Sequence, residues 1–245
     1  MVRRHEYRPA RMRSGMPRLR LGIAGVTLGS KWEIREGVAM RYVDHALYVA
    51  LDEKDGYTAS HCVRVADLAE ALGRTLSIPE EDLRSLHDTG LVHDVGKIGI
   101  PDGVLLKHSH LDAHEWEIMK THSARGERIL MAQSIAGGAV LDAVIKAVRH
   151  HHEHFDGSGY PDGLAGEEIP FWSRILLVAD SYDAMTTPRA YRRALSHDEA
   201  MEIMGHEVGT RSDPLIFEAF DHMMQTSPLR ALPMSLLESN RLMHD

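Results

Sequence analysis

The sequence predicts an all-α protein, a compact helical bundle interrupted by one long loop. Three observations carry that expectation. From about Arg35 onward, apolar residues recur at intervals of three and four, glycine or proline marks the breaks, and alternating strand-like runs are scarce. With 245 residues the chain is long enough for a substantial core.

Taken in order, residues 1–34 read as a basic, flexible arm. Seven arginines (Arg3, Arg4, Arg8, Arg11, Arg13, Arg18 and Arg20) stand against one acid, Glu6, within residues 1–20. The stretch Leu21–Ser30 that follows is short and glycine-rich, a poor signal-peptide core. The helical unit is expected over 35–228, with helices near 35–52, 57–74, 79–95, 111–120, 123–133, 138–152, 172–186, 196–206 and 213–224. The segments Ser77-Ile78-Pro79-Glu80 and Ser196-His197-Asp198-Glu199 read as helix starts, each with a capping side chain and acids in the first turn. Residues 153–171 hold four glycines and two prolines and read as a long ordered loop, a kind of segment that is usually functional. A tail with a short helix around 234–243 is expected over 229–245.

Composition narrows the function. A formal charge of −8 argues against general nucleic-acid binding, although bound cations can reverse the field locally for a small anionic substrate. One cysteine, Cys62, excludes a disulfide framework and a cysteine-rich zinc site. No run of about 18 apolar residues suggests a membrane span, and a cytoplasmic protein is expected. Seventeen histidines are many for this length and point to metal.

Helical spacing separates candidate ligands from surface histidines. His61 lies in line with Val65, Leu68 and Leu72, while Leu83, Leu86 and Gly90 lead to His93 and Asp94. Val140, Val144 and Ala147 lead to His151; Leu141, Ile145 and Val148 lead to His152. His150 follows Asp142 and Lys146 on the wet face. Asp180 ends the apolar run Ile175-Leu176-Leu177-Val178-Ala179, where a carboxylate needs a partner or a cation. With His122, these residues form a mixed nitrogen and oxygen donor set that suits a hydrolytic site with two transition metals.

Those residues stand in an ordered series: His61, His93-Asp94-Val95-Gly96-Lys97, His122, His151-His152-Glu153 leading to Gly159-Tyr160-Pro161, and Ala179-Asp180 with Asp183-Ala184-Met185-Thr186. In that series the chain resembles the HD-GYP domains of the HD superfamily, from about Tyr57 to Phe220. The resemblance implies a helical HD-domain bundle with a long GYP loop, and hydrolysis of cyclic di-GMP to linear pGpG, with further cleavage to GMP left open. It implies one metal on His61, His93, Asp94 and Asp180, and a second on Asp94, His122, His151 and His152. It implies catalytic roles for Asp94 and Lys97, and substrate contacts from Lys97, Gly159, Tyr160, Pro161, Asp183, Arg189 and Arg192. Iron or manganese is the expected metal, with zinc as a third candidate.

The series also departs from the family. Tyr57 stands where some members carry a glutamate for a third metal, which favours two ions here. Pro188 and Ala190 flank Arg189 in place of the usual aspartate and proline. Arg211-Ser212 replaces an aromatic-containing pair before Asp213-Pro214. Two other readings stay open: a cyclic dinucleotide receptor or interaction module that contacts a diguanylate cyclase, and an HD phosphohydrolase acting on another nucleotide. Homodimerisation is likewise open.

Overall fold

The computed structural model describes residues 42–132, 139–188 and 193–230. The basic arm, the beginning of the first expected helix, Arg189, Arg192 and the C-terminal tail beyond Arg230, with the short helix expected around 234–243, therefore lie outside the described residues. Ten α-helices run through those segments: α1 (Tyr42–Lys54), α2 (Gly56–Thr75), α3 (Glu80–Val92), α4 (Asp102–Leu105), α5 (Ala113–Lys120), α6 (His122–Met131), α7 (Ala139–His150), α8 (Phe171–Thr186), α9 (His197–His206) and α10 (Pro214–Met224). A 3-10 turn, Val95–Gly99, joins α3 to α4. Among the described residues there is no β-strand, and no helix is long and apolar enough to cross a membrane.

Helix α2 is the organising element, packed against α1, α3, α8 and α10. Its first apolar row, Val65, Leu68 and Leu72, is buried with Ala147 of α7, Ile175, Leu176 and Tyr182 of α8, and Phe220 of α10. Ala66, on another face of α2, belongs to a second cluster with Leu91, Val92, Val95, Leu130, Ile145 and Val148. Side chains such as Leu72 and Leu86 are wholly buried, so truncating one to alanine costs about 2–5 kcal/mol.

The local signals explain most boundaries. Ser196 caps α9 by accepting from Glu199 N, and the Glu199 carboxylate accepts from Ser196 N in return, as the sequence suggested. Ser77 does not cap α3. It takes a left-handed φ of 61° after α2, and Pro79 precedes the first turn of α3 without a side-chain cap. The helix expected over 79–95 stops at Val92 because the next residues are drawn against α6. A Cβ on Gly96 would lie 1.8 Å from the His122 carbonyl oxygen and 2.5 Å from Gly126 N. That contact brings the segment carrying His93 and Asp94 beside the segment carrying His122.

Candidate metal centre

Seven side chains converge from five segments: His61 on α2, His93 and Asp94 just after α3, His122 at the start of α6, His151 and His152 just after α7, and Asp180 on α8. Asp94, His122, His151 and His152 each offer a ligand atom within 4.8 Å of the others; so do His61, His93 and Asp94, so Asp94 belongs to both groups. Asp180 spans their rim, with Oδ1 3.0 Å from His61 Nε2 and Oδ2 3.9 Å from His152 Nδ1.

Backbone geometry fixes what three of these rings present. The Nδ1 atoms of His93, His122 and His151 donate to the carbonyls of Gly90, Met119 and Val148, each at 2.7 Å and each three residues earlier. A carbonyl can only accept, so Nδ1 carries the proton and Nε2 keeps its lone pair. Those lone pairs point into the centre. His93 Nε2 and Asp94 Oδ1 are buried without a hydrogen-bond partner. His122 Nε2 lies 3.3 Å from Asp94 Oδ1, 3.4 Å from His151 Nε2 and 3.1 Å from His152 Nε2. Acceptors gathered so closely repel one another unless a cation lies among them. The donor set therefore fits divalent metal.

Electrostatics agree with the geometry. Burial, followed by neighbouring imidazoles, pushes His151 down to about 3 and His152 well below its usual value, so both rings are neutral at neutral pH, the form in which an imidazole can hold a metal. Burial lowers His93 and His122 as well. For Asp94 burial works in the opposite sense, but Lys97 and the surrounding histidines outweigh it and hold the carboxyl well below its normal range. His61 is the exception. Burial opposes its charge, yet hydrogen bonds to Asp180 and Asp183 raise it to about 9.

Lys97 donates to Asp94 Oδ2 at 2.6 Å, and its side chain lines the adjoining cavity of about 680 Å³. Tyr160 lines the same cavity, its ring 4.8 Å from that of His152 and 6.3 Å from that of Trp116. Asp183, expected as a substrate contact, is placed otherwise. It is buried behind His61, where Oδ2 accepts from His61 Nδ1 at 2.6 Å and both oxygens accept from the Arg64 guanidinium at 2.6 and 3.0 Å. A carboxylate in that place fixes ring tautomer and orientation. Its position three residues after Asp180, on the same side of α8, explains why both reach His61.

Gly159 and Pro161, also expected as substrate contacts, shape the loop and do not line the cavity. A Cβ on Gly159 would fall 2.2 Å from His154 N and 2.5 Å from the His152 carbonyl oxygen, so the loop passes directly over the histidine segment. Tyr160 N donates to that carbonyl at 3.1 Å, and the Tyr160–Pro161 peptide is cis. The loop is held from beneath by Glu153, which sequence reasoning passed over. Its buried carboxylate accepts from the amides of Asp162, Gly163 and Leu164 at 2.7, 3.1 and 3.1 Å. Asp162 in turn is gripped by Arg149 and His150. His150, Glu153 and Asp162 form a third close group of metal-binding types, but these contacts already account for it. Trp116, Lys107 and Arg211 also line the cavity and were not singled out in the sequence as site residues.

Comparison with known proteins agrees with the geometry. An HD domain family model matches residues 46–216. The chain is 38% identical over 194 residues to a cyclic di-GMP phosphodiesterase of Pseudomonas aeruginosa, covering 79% of this chain and 45% of that one. It is 36% identical over 178 residues to a 3′3′-cGAMP-specific phosphodiesterase of Vibrio cholerae, covering 73% and 38%. A cyclic di-GMP phosphodiesterase response regulator of Xanthomonas campestris is 38% identical over 173 residues, covering 69% and 44%. The chain thus spans less than half the length of each of these relatives. The crystal structure of a cyclic GMP-AMP specific phosphodiesterase of V. cholerae superposes with a TM-score of 0.55 at 22% identity, covering 76% of this chain and 49% of that one. An HD-GYP-type protein of Bdellovibrio bacteriovorus superposes with the same score at 20% identity, covering 68% and 52%. These superpositions show the shared helical fold.

Proposed function

This chain belongs to the HD domain family and carries the motifs of its HD-GYP branch, and from that premise we propose that it is a metal-dependent phosphodiesterase. Its substrate in this reading is cyclic di-GMP, opened to linear pGpG at a dinuclear centre. The observation that carries the reading is the meeting of two donor groups at Asp94, beside a cavity large enough for a nucleotide. His61, His93, Asp94 and Asp180 would hold one ion. His122, His151 and His152 would hold the other, with Asp94 common to both. Iron or manganese suits this mixed imidazole and carboxylate set, and zinc remains a candidate. The phosphohydrolase unit is assigned to residues 35–228.

Divalent ions in such a centre supply Lewis acidity toward phosphoryl oxygens and make water a competent nucleophile at neutral pH. The chain's own residues do the rest. Neutral His93, His122 and His151 present fixed lone pairs, because their Nδ1 protons are held by carbonyls. Asp183 and Arg64 hold the His61 ring in its orientation. Lys97, beside Asp94 and facing the cavity, brings positive charge to the non-bridging oxygens of the scissile phosphate. Tyr160 and Trp116 offer aromatic surface to a base. The substrate is a soluble second messenger, so the reading places the enzyme in the cytoplasm, where a diguanylate cyclase would be the partner of the GYP loop.

Product chromatography of the metal-loaded protein with cyclic di-GMP, 3′3′-cGAMP and GTP tests the assignment. Linear pGpG as the main product supports it. Preferential opening of 3′3′-cGAMP would move the substrate to the mixed dinucleotide, and faster turnover of GTP would move the chain to nucleotide hydrolysis. Binding of cyclic di-GMP without any product would leave a receptor.

A further inference from the structure

We propose that Arg211 grips the phosphate that is not being cleaved, and so selects substrates that carry two phosphodiesters. The inference rests on the reading of the cavity as a cyclic dinucleotide site. Among the described residues that line the cavity, three carry a fixed positive charge: Lys97, Lys107 and Arg211. Lys97 is held by Asp94 at 2.6 Å, and Lys107 is ion-paired with Glu115. Arg211 is different. Its Nη1 stands 3.8 Å from Glu207 Oε2, beyond hydrogen-bonding distance, and its buried Nε has no acceptor. A guanidinium presents five donors in a planar fork, and a donor buried without an acceptor is costly. A phosphate satisfies that fork through two parallel hydrogen bonds.

The place of Arg211 fits this role. Its carbonyl accepts from Phe155 N at 3.1 Å, and the Thr210 carbonyl accepts from Asp156 N at 2.8 Å, which ties the segment to the base of the GYP loop. Arg211 thus stands on the loop side of the cavity, whereas Lys97 stands on the side of Asp94. A cyclic dinucleotide carries two phosphates held apart by its ring. With one at the metal centre and Lys97, the other still needs a cation, in a chain whose formal net charge is −8. The replacement of the usual aromatic-containing pair by Arg211-Ser212 gains meaning here: it places a cation on this wall.

The test compares the metal-loaded wild type with Arg211→Met and Arg211→Lys on cyclic di-GMP, cyclic di-AMP and bis(p-nitrophenyl) phosphate, which has a single phosphodiester. For Arg211→Met the expected result is a KM increase of about 10- to 100-fold on both cyclic dinucleotides, with kcat much less affected. Arg211→Lys should recover part of the loss. The drop in kcat/KM on the single phosphodiester should be at least about ten-fold smaller. An unchanged KM on the cyclic dinucleotides overturns the proposal. An equal loss on all three substrates also overturns it, since it would mark a structural role. A loss confined to cyclic di-GMP would show that the arginine reads a guanine edge, which overturns the phosphate assignment. A wild type that cleaves bis(p-nitrophenyl) phosphate but neither cyclic dinucleotide would defeat the functional reading and this inference together. That outcome is recognised in the wild type alone, before any variant is compared.

Discussion

Replacing Glu153 with glutamine probes the support beneath the GYP loop with almost no change in shape. The carboxylate accepts three backbone amides, from Asp162 and Gly163 on Oε1 and from Leu164 on Oε2. Glutamine keeps one oxygen acceptor and turns an NH₂ toward the third amide, so donor meets donor. A hydrogen bond to a charged group contributes about 1.5–3 kcal/mol, against about 0.5–1.5 kcal/mol for a neutral pair. One such bond is lost and two are weakened, while Leu164 is partly open to water that can replace some of the loss. The expected cost is about 3 kcal/mol of unfolding free energy, a large share of the roughly 5–15 kcal/mol typical of a domain. Urea denaturation followed by circular dichroism measures it. Because Tyr160 is carried by the same loop, KM should rise along with the loss of stability. The reasoning fails if Glu153→Gln shifts stability by less than about 1 kcal/mol and leaves KM unchanged.

The site makes three further predictions. Lys97→Ala should lower kcat by about 10²–10³-fold while metal content stays near that of the wild type, because the lysine offers charge to the reaction and no lone pair to a metal; equal loss of metal would show that Lys97 is needed to shape Asp94. Arg64→Ala should weaken metal retention by about 10- to 100-fold in a chelator titration, because Asp183 loses the fork that holds it against His61; unchanged retention would mean that Asp183 needs no support. Arg149, the larger influence, and His150 depress the folded-state pKa of Asp162 to about 2, below its usual 3.8. Its contribution to stability is therefore present above pH 4 and is lost as pH falls toward 2. Asp162 is partly exposed, so the contribution is less than about 1 kcal/mol after solvent screening. The urea midpoints of wild type and Asp162→Asn should differ at pH 6 and approach each other at pH 3; a constant difference would contradict this account of the Arg149 and His150 contacts.

The helices and the ligand candidates were legible because both follow the same helical period. The rows that bury Val65, Leu68 and Ala147 also point His61 and His151 inward, and the buried run ending at Asp180 announced a carboxylate in need of a partner. Other features depend on contacts that no local pattern carries. The break between Val92 and Val95 reflects the approach of Gly96 to the His122 carbonyl, 26 residues away. Asp183 shares a helix side with Asp180, but only the packing of α8 on α2 shows that it faces His61 and not the cavity. Glu153 follows two candidate ligands, yet its partners lie nine to eleven residues further on, inside an irregular loop. Arg211 was visible as a departure from the family pattern, but its place on the cavity wall follows from the fold.

The most direct test of the account is metal content under anaerobic purification, measured by elemental analysis of the wild type beside Asp94→Ala. Asp94 lies in both donor groups, so its loss should disturb both. The account predicts about two transition-metal ions per chain in the wild type and a loss of most of that metal in Asp94→Ala. A wild type that hydrolyses cyclic di-GMP while holding no metal, or an Asp94→Ala protein that keeps its full complement, would contradict it.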